Sequence, residues 1–554
     1  MDVFAAARAW LADDPDPQTR AELDSVLTAA ESGDARAVAD LQDRFQGMLE
    51  FGTAGLRGAL GAGPHRMNRV VVRRAAAGLT AYLQESLGRS DVSVVIGFDA
   101  RHNSDVFARD TAGVVVAAGG RAVVLPRPLP TPVLAFAIRH LGCDAGVMVT
   151  ASHNPPQDNG YKVYLGDGSQ IVSPTDSQIA AAIERFPTAA SVRIADDGWQ
   201  TLGDDLTDAY VEAVASVVPA DAPRDVNIVH TSLHGVGHDT VQEAFHRAGF
   251  PAPRGVPSQA DPDPEFPTVS FPNPEEPGAI DAALDLARTT KPDLVIANDP
   301  DADRCAVAVD DPGSGWRMLR GDEVGALLGH EVIARLSAGD TPPDSVLACS
   351  IVSSQVLGAM AAAAGLRHEE TLTGFKWISR VPGLAYGYEE ALGYCVAPDL
   401  VRDKDGISAA LLIAAMAARL KASGRTLLDV LDDIARDHGV HATDAFSVRV
   451  EDLSLIGRIM ERLRSQMPTT LAGQAINRTD DLALGDGGLP PTEGMRWYLA
   501  DGSRIIARPS GTEPKLKVYL EAVVEVGEDL TAARLEARRR LAAVRSAMGQ
   551  LTAI

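Results

Sequence analysis

Val92-Ser93-Val94-Val95-Ile96-Gly97-Phe98 is an apolar, β-branched run, followed by an amphipathic stretch near Asp105–Ala118, the pair Gly119-Gly120, and the short run Ala122–Leu125. The order reads as strand, helix, glycine stop and second strand. Glycine closes a helix because it accepts the left-handed backbone that ends one. Strand, helix and strand in this order build a parallel sheet. The same sentence is written twice more. Val226–His230 leads to a helix near Gly237–Ala248 and Gly249; Ser345–Cys349 leads to a helix near Ser354–Ala364, Gly365 and Leu366–His368. Three copies predict three related α/β domains. The last stretch differs: Trp497–Leu499, the turn Asp501-Gly502 and Arg504–Ala507 read as a hairpin, Leu516–Val523 as a strand and Glu528–Gln550 as a helix. This predicts an α+β terminal domain. The expected boundaries are 1–215, 216–318, 319–440 and 441–554. Pro/Gly/Asp-rich segments such as Pro251–Pro277 are expected as surface loops.

A chain of 554 residues exceeds one hydrophobic core. Its net charge of −24 argues against nucleic acid or an anionic membrane as partner. No apolar run is long enough to span a bilayer, and the first residues, which read as an opening helix, lack a secretory pattern. Cys143, Cys305, Cys349 and Cys395 lie far apart with no zinc spacing; buried free thiols in a cytoplasmic protein are expected. Only seven of the 51 basic residues are lysine, and five of these (Lys162, Lys376, Lys404, Lys515, Lys517) fall within the polar motifs below.

Thr150-Ala151-Ser152-His153-Asn154-Pro155-Pro156 follows the apolar strand Gly146–Val149, and Asp158-Asn159-Gly160-Tyr161-Lys162 comes next. A serine on the turn after a buried strand is expected to be exposed and rigidly presented, as a nucleophile must be. The motif lacks the flanking glycines of a hydrolase elbow. Asp299-Pro300-Asp301-Ala302-Asp303-Arg304 lies between Leu294–Ala297 and Cys305–Val309. Alternate carboxylates after a strand converge on a hard cation. A calcium hand would need Gly and Glu where Arg304 and Asp310 stand. Arg508-Pro509-Ser510-Gly511-Thr512-Glu513-Pro514-Lys515 offers a guanidinium, two hydroxyls and an ammonium, a cradle for phosphate. Glu389-Glu390 in a glycine-flanked turn, followed by Arg402-Asp403-Lys404, suits the hydroxyls of a sugar. Each motif alone also has an ordinary structural reading as a polar turn.

Together these regions resemble the α-D-phosphohexomutase superfamily, and do so along nearly the whole chain. Phe51-Gly52-Thr53-Ala54-Gly55-Leu56-Arg57-Gly58 and Thr373-Gly374-Phe375-Lys376 add to the likeness. The resemblance is strongest to the branch with phosphoglucomutase-2, phosphopentomutase and bacterial phosphoglucomutases. It implies an α/β fold of three related domains with mixed sheets plus the terminal α+β domain, arranged around one cleft. It implies an isomerase that moves a phosphoryl group within a phosphosugar through a phosphoserine and a sugar 1,6-bisphosphate intermediate or activator. Glucose phosphate is the first-choice substrate, with phosphomannomutase or phosphopentomutase specificity as the alternative. Ser152, Lys162, His153, Arg57 and Arg304 would carry the chemistry. Mg²⁺ would be held by Asp299, Asp301, Asp303 and Ser152. Thr373, Gly374, Lys376, Glu389, Glu390, Lys404, Arg508, Ser510, Gly511, Thr512 and Lys515 would bind substrate.

Lys162 is expected to be neutral, as a base. Ala391 stands where many phosphoglucomutases have serine after the Glu pair, which loosens the expectation for glucose. A hinge is expected between the third and terminal domains, and a monomer or homodimer with only a small phosphosugar as partner. A phosphatase using an aspartyl nucleophile, or a silent sugar-phosphate binder, would leave the Ser152 or Arg508 motifs unexplained.

Overall fold

The structure, a computed structural model, describes residues 2–52, 55–339, 344–450, 452, 454–485, 488–510 and 515–553. The chain forms two compact units: Met1–Leu319 with Gly393–Ala422, and Arg320–Leu392 with Ser423–Ile554.

The first unit begins with three helices: Val3–Asp13, the opening helix expected from sequence, then Pro17–Glu31 and Ala35–Arg44. Asp2, Asp16 and Asp34 each cap a helix by accepting from its first backbone N–H groups. Leu23, Leu27 and Leu41 give the trio a core of its own.

The first sheet contains β1 (Leu56–Ala59), β2 (Ser93–Phe98), β3 (Arg121–Val124), β4 (Ala145–Val149), β5 (Asp158–Leu165) and β6 (Gln200–Thr201), in the order β1-β5-β4-β2-β3-β6. It is mixed: β4, β2, β3 and β6 run parallel, while β5 lies antiparallel to β4 and β1. Every residue of β2 is buried, as a strand covered on both faces requires. Val94 and Ile96 join the core of helices Arg69–Leu87 and Ser104–Ala117. The other face receives helix Thr131–His140. A Cβ on Gly97 would lie 3.4 Å from Leu134, and one on Gly146 would lie 2.4 Å from Ile138. These glycines therefore let that helix close on the sheet, with Thr131 at its first turn.

The second sheet, β7 (Ile228–Thr231), β8 (Arg254–Gly255), β9 (Leu294–Ala297), β10 (Ala306–Asp311) and β11 (Gly315–Met318), repeats the plan in the order β11-β10-β9-β7-β8. Here β8, β7 and β9 are parallel, β10 lies antiparallel to β9, and β11 antiparallel to β10.

In the second unit β12 (Val346–Ser350) pairs in parallel with β13 (Arg367–Thr371) and β14 (Leu384–Glu389). The chain then rejoins the first unit through β15 (Gly393–Cys395), whose Gly393 bridges to Arg304, and helix Gly406–Ala422. Asp403 accepts from Tyr164 Oη at 2.9 Å, and Asp405 accepts from Tyr210 Oη at 2.9 Å. A Cβ on Gly406 would sit 2.2 Å from the Arg304 carbonyl, so only glycine fits there. This excursion carries Lys404 into the first unit.

The terminal sheet is wholly antiparallel: β16 (Val440–Arg449), β17 (Thr470–Leu471), β18 (Gln474–Asp481), β19 (Met495–Leu499), β20 (Arg504–Pro509) and β21 (Lys515–Val524), in the order β16-β21-β20-β19-β18-β17. Helix Leu530–Leu551 packs on β16 and β21. Sequence reading expected a hinge between this domain and the one before it. Here the two share buried Ile351, Val352, Leu372, Leu482, Ile506 and Tyr519. Buried Glu521 also joins them, bonding Arg504 at 2.9 Å and Ser354 Oγ at 2.7 Å. Shared apolar burial and the Ser354–Glu521 hydrogen bond tie the two into one compact unit. All four cysteines are free and buried, and among the described residues no single helix is long and apolar enough to cross a membrane.

Candidate active site

Two strand ends meet in the first unit. Ser152 lies just beyond β4, and Asp299 just beyond β9. Ser152 Oγ donates to Asp299 Oδ2 at 2.8 Å across 147 residues of sequence. The serine was expected to be exposed; it is buried, 3% accessible. Its backbone is left-handed, φ 53°, a conformation costing a non-glycine residue about 1–2 kcal/mol. Ser152 N–H donates to Thr150 Oγ1 at 2.9 Å, which helps to hold the turn. His153 Nδ1 lies 3.2 Å from Ser152 Oγ. Burial, together with the Arg304 and Arg57 guanidiniums, pushes the His153 imidazole well below its usual range, so it is neutral. Arg57, on β1, donates to Asn154 Oδ1 at 3.2 Å.

The three aspartates are fully buried, with their ligand oxygens within 4.8 Å of one another. Their surroundings divide them. Lys162 reaches in from β5 and donates to Asp301 Oδ2 at 2.6 Å and Asp303 Oδ2 at 2.9 Å. Lys404 Nζ stands 3.4 Å from Asp303 Oδ2. Burial alone would raise the Asp301 carboxyl, but the Lys162 ammonium and the Thr131 hydroxyl hold it below the usual range. Lys162, Lys404 and Arg304 likewise outweigh burial and the Asp301 charge at Asp303, which also lies low. Asp299 faces no ammonium; burial and its two charged neighbours push it well above the usual carboxylate range.

Lys162 therefore differs from the neutral amine expected. Burial would lower it, but Asp301 and Asp303 raise it above its ordinary value, so it is charged in this arrangement.

The donor set fits a hard divalent cation. One oxygen of Asp301 and one of Asp303, both Oδ1, are buried with no hydrogen-bond partner among the described residues. Bare, buried carboxylate oxygens are costly unless a cation takes them. Asp299 Oδ1 already accepts from the Arg304 N–H at 3.1 Å, which turns its Oδ2 toward Ser152.

The second unit gathers the other residues singled out in the sequence. Glu389 ends β14 and Glu390 follows it. Ser350 and Ser353 hydroxyls donate to Glu390 Oε2 at 3.1 and 3.3 Å. Burial and the Glu389 charge push the Glu390 carboxyl up to about 7. Tyr519, hydrogen-bonded to Arg508, lies in the field of both glutamates, so Arg508 and the Glu pair share one neighbourhood. Gly374, with φ 106°, opens the short helix Phe375–Ile378 that bears Lys376, just after Thr373. Arg508 lies on β20 opposite Lys517. Ser510 N–H donates to the Lys515 carbonyl at 2.8 Å. Gly511 and Thr512, like Thr53 and Ala54 of the N-terminal motif, lie outside the described residues.

Thr131 was not found by sequence reading. Its hydroxyl donates to Asp301 Oδ2 at 2.6 Å and its N–H to the Asp301 carbonyl at 2.9 Å. Pro-Thr-Pro at 130–132 signals a helix start, but nothing local points to an aspartate 170 residues away. Arg101 also escaped notice; it gathers carbonyls of the Ser152 turn.

Profiles of one family match four successive stretches. Phosphoglucomutase/phosphomannomutase alpha/beta/alpha domains I, II and III match residues 48–189, 208–314 and 320–437, and the C-terminal domain matches 448–538. A Haemophilus influenzae protein named "Probable phosphomannomutase" is 48% identical over 463 residues, 82% of this chain and 93% of that one. The human protein named "Phosphopentomutase" is 37% identical over 535 residues, 88% of this chain and 87% of that one. A Thermus thermophilus crystal structure described as "putative phosphomannomutase" superimposes with a TM-score of 0.69 at 26% identity, covering 89% of this chain and 99% of the other. Sheet plan, site and likeness converge, and this chain belongs to the phosphoglucomutase/phosphomannomutase family of isomerases, the intramolecular phosphotransferases of sugar phosphates.

Proposed function

We propose that the protein is a phosphomannomutase or phosphopentomutase that carries the phosphoryl group on Ser152. The observation that carries the reading is the 2.8 Å contact of Ser152 Oγ with Asp299, inside a buried three-aspartate centre. A free hydroxyl of the sugar monophosphate attacks phospho-Ser152; its bond to phosphorus forms as the Ser152 Oγ–P bond breaks. Lys162 takes the proton of the attacking hydroxyl and returns one in the reverse half. Neutral His153, 3.2 Å from Oγ, relays a proton to the departing Ser152 oxygen and removes it again when Ser152 takes back a phosphate. Arg57 and Arg304 add positive charge around the phosphoryl group. The sugar bisphosphate so formed turns round, and Ser152 recovers the other phosphate. Asp299, Asp301 and Asp303 would hold Mg²⁺, which would neutralise charge on the phosphoryl group and, by taking up carboxylate charge, would let Lys162 serve as a neutral base.

Recognition is assigned to the remaining motif residues. Glu389 and Glu390 accept from sugar hydroxyls, with Thr373, Gly374, Lys376 and Lys404 orienting the sugar. Arg508, Ser510, Gly511, Thr512 and Lys515 hold the phosphate that stays put.

Glucose was the first choice from sequence. The relatives' names, mannose and pentose phosphate mutases, favour the alternative. Ala391 offers the sugar no hydroxyl and so relaxes discrimination among glucose, mannose and pentose phosphates. The test is kcat/KM for mannose, ribose and glucose 1-phosphates, with the matching bisphosphate present. Mannose or ribose 1-phosphate should lead glucose 1-phosphate by at least about tenfold; a lead for glucose 1-phosphate would refute the specificity. Four buried free thiols accord with a reducing compartment such as the cytoplasm.

A further inference from the structure

Arg101 is nearly inaccessible and lies in the field of Asp301 and Asp299, yet among the described residues no hydrogen bond joins its guanidinium to them. It is spent on backbone. Nη2 donates to the Ser152 carbonyl at 2.6 Å and to the Asn154 carbonyl; Nη1 donates to the Pro155 carbonyl at 2.8 Å and the Asp158 carbonyl at 3.2 Å. Four carbonyls of one turn thus converge on one side chain. Arg101 is anchored behind by Asp99, whose Oδ2 lies 3.4 Å from Nε. Asp99 is itself fixed, accepting at Oδ1 from Arg101 N–H at 3.0 Å and Ser104 Oγ at 2.7 Å.

The other face of the guanidinium is capped. Its carbon stands 4.8 Å from the ring centre of Phe266, a cation–π contact. Phe266 belongs to the Pro251–Pro277 stretch that sequence reading left as a surface loop; here the ring is buried, 3% accessible. Its backbone sits at φ 46°, which a bulky side chain rarely adopts. Such a conformation persists only where its surroundings fix it. They do: Asp263 N–H donates to the His234 carbonyl at 3.0 Å, Val269 N–H to the Phe266 carbonyl at 3.0 Å, and Glu265 pairs with His102. The second domain thus lays a strap over a turn of the first.

We propose that Arg101, seated on Phe266, is a positioning residue for phosphoryl transfer. It holds the Ser152 turn in its left-handed form so that Oγ stays aimed at the aspartate centre. Sequence supplies the rest of the reason. A lone serine at φ 53° would relax toward a right-handed backbone and swing Oγ away. A displacement of about 1 Å at a reacting atom costs about 100-fold in rate. The inference rests on Ser152 being the phosphoryl carrier.

The test uses the full chain with Arg101→Lys, Arg101→Met and Phe266→Leu. Two quantities are read beside the melting temperature: the steady-state split of kcat from KM, and the single-turnover rate at which sugar bisphosphate phosphorylates Ser152, followed by intact-mass spectrometry. Arg101→Met should lower kcat and the single-turnover rate together, by about 100-fold, with KM within about threefold. Arg101→Lys should recover part of that loss, since an ammonium reaches fewer carbonyls. Phe266→Leu, which spares the carbonyl contacts, should lose about three- to tenfold in the same two rates. Full kcat in a folded Arg101→Met, or a rise in KM alone, would overturn the role. If both Arg101 variants fail to fold, Phe266→Leu decides: unchanged rates overturn the role. Ser152→Ala separates the two readings. Turnover in that variant removes the phosphoserine scheme itself, whereas its silence beside a fully active Arg101→Met removes only the positioning role.

Discussion

Two clusters, the aspartate centre of the first compact unit and the Glu389-Glu390 pair of the second, treat charge in opposite ways. In the first, positive charge is brought to negative at close range: Lys162 lies 2.6 and 2.9 Å from two aspartates, and Lys404 3.4 Å from one. In the second, Glu389 and Glu390 are side by side, and the nearest hydrogen-bond partners of the Glu390 carboxylate are hydroxyls. The outcome follows from Coulomb's law in a dry setting. Asp301 and Asp303 fall below their usual range, while Glu390 rises to about 7. In the first cluster Asp301, Asp303 and Lys162 are therefore held charged, while Asp299 beside them is pushed well above the usual carboxylate range. The second contains a carboxyl whose charge varies near neutrality, as suits a group that exchanges hydrogen bonds with a sugar.

The sharpest way to break this comparison is at the paired centre. Asp301→Asn removes one carboxylate charge and leaves Lys162 with a single partner. It should cost about 1,000-fold in kcat at saturating Mg²⁺. Titration calorimetry with Mg²⁺ should also lose the binding heat seen for the unaltered protein; retained binding would contradict the metal assignment.

A smaller effect is expected from the phosphate end of the second unit. Arg508→Ala should raise KM about 30-fold and leave kcat within about threefold, the pattern of a contact made equally in ground and transition states. An equal fall in kcat would move Arg508 to the reacting group.

The smallest effect concerns Glu390. Its folded-state value, raised from 4.5 to about 7, means that the folded chain binds this proton more tightly than the unfolded chain. The sign follows: the fold loses stability as pH climbs through that window and regains it as pH falls. Glu390→Gln should therefore match the unaltered protein near pH 4.5 and exceed it at pH 8, by at most about 3 kcal/mol. In the unaltered enzyme kcat/KM should fall as pH drops below about 7, because a protonated Glu390 loses acceptor capacity. A thermal-melt and rate series across that range reads both; a gap independent of pH would contradict the raised value.

Much of this was legible in the sequence because it is local. Each strand–helix–glycine pattern sits within about forty residues, and periodicity reads such spans well. The phosphoserine turn and the aspartate triplet are also local, each a short polar run at a strand end. What was hidden is long-range or backbone-borne. Thr131 reaches Asp301 only because Gly97 and Gly146 let its helix settle on the first sheet. Arg101 acts through carbonyls, which carry no sequence signature. Nothing local in the sequence shows that the excursion of Gly393–Ala422 also brings Lys404 to Asp303. Lys162 was expected neutral from burial and nearby cations; two aspartates at hydrogen-bonding distance reverse that.

The most direct measurement is to load the protein with phosphate-labelled sugar 1,6-bisphosphate, digest it and locate the label. The account predicts label on Ser152, absent from Ser152→Ala together with turnover. Label on Asp299, Asp301 or Asp303, or sustained turnover with no label on the chain, would contradict it.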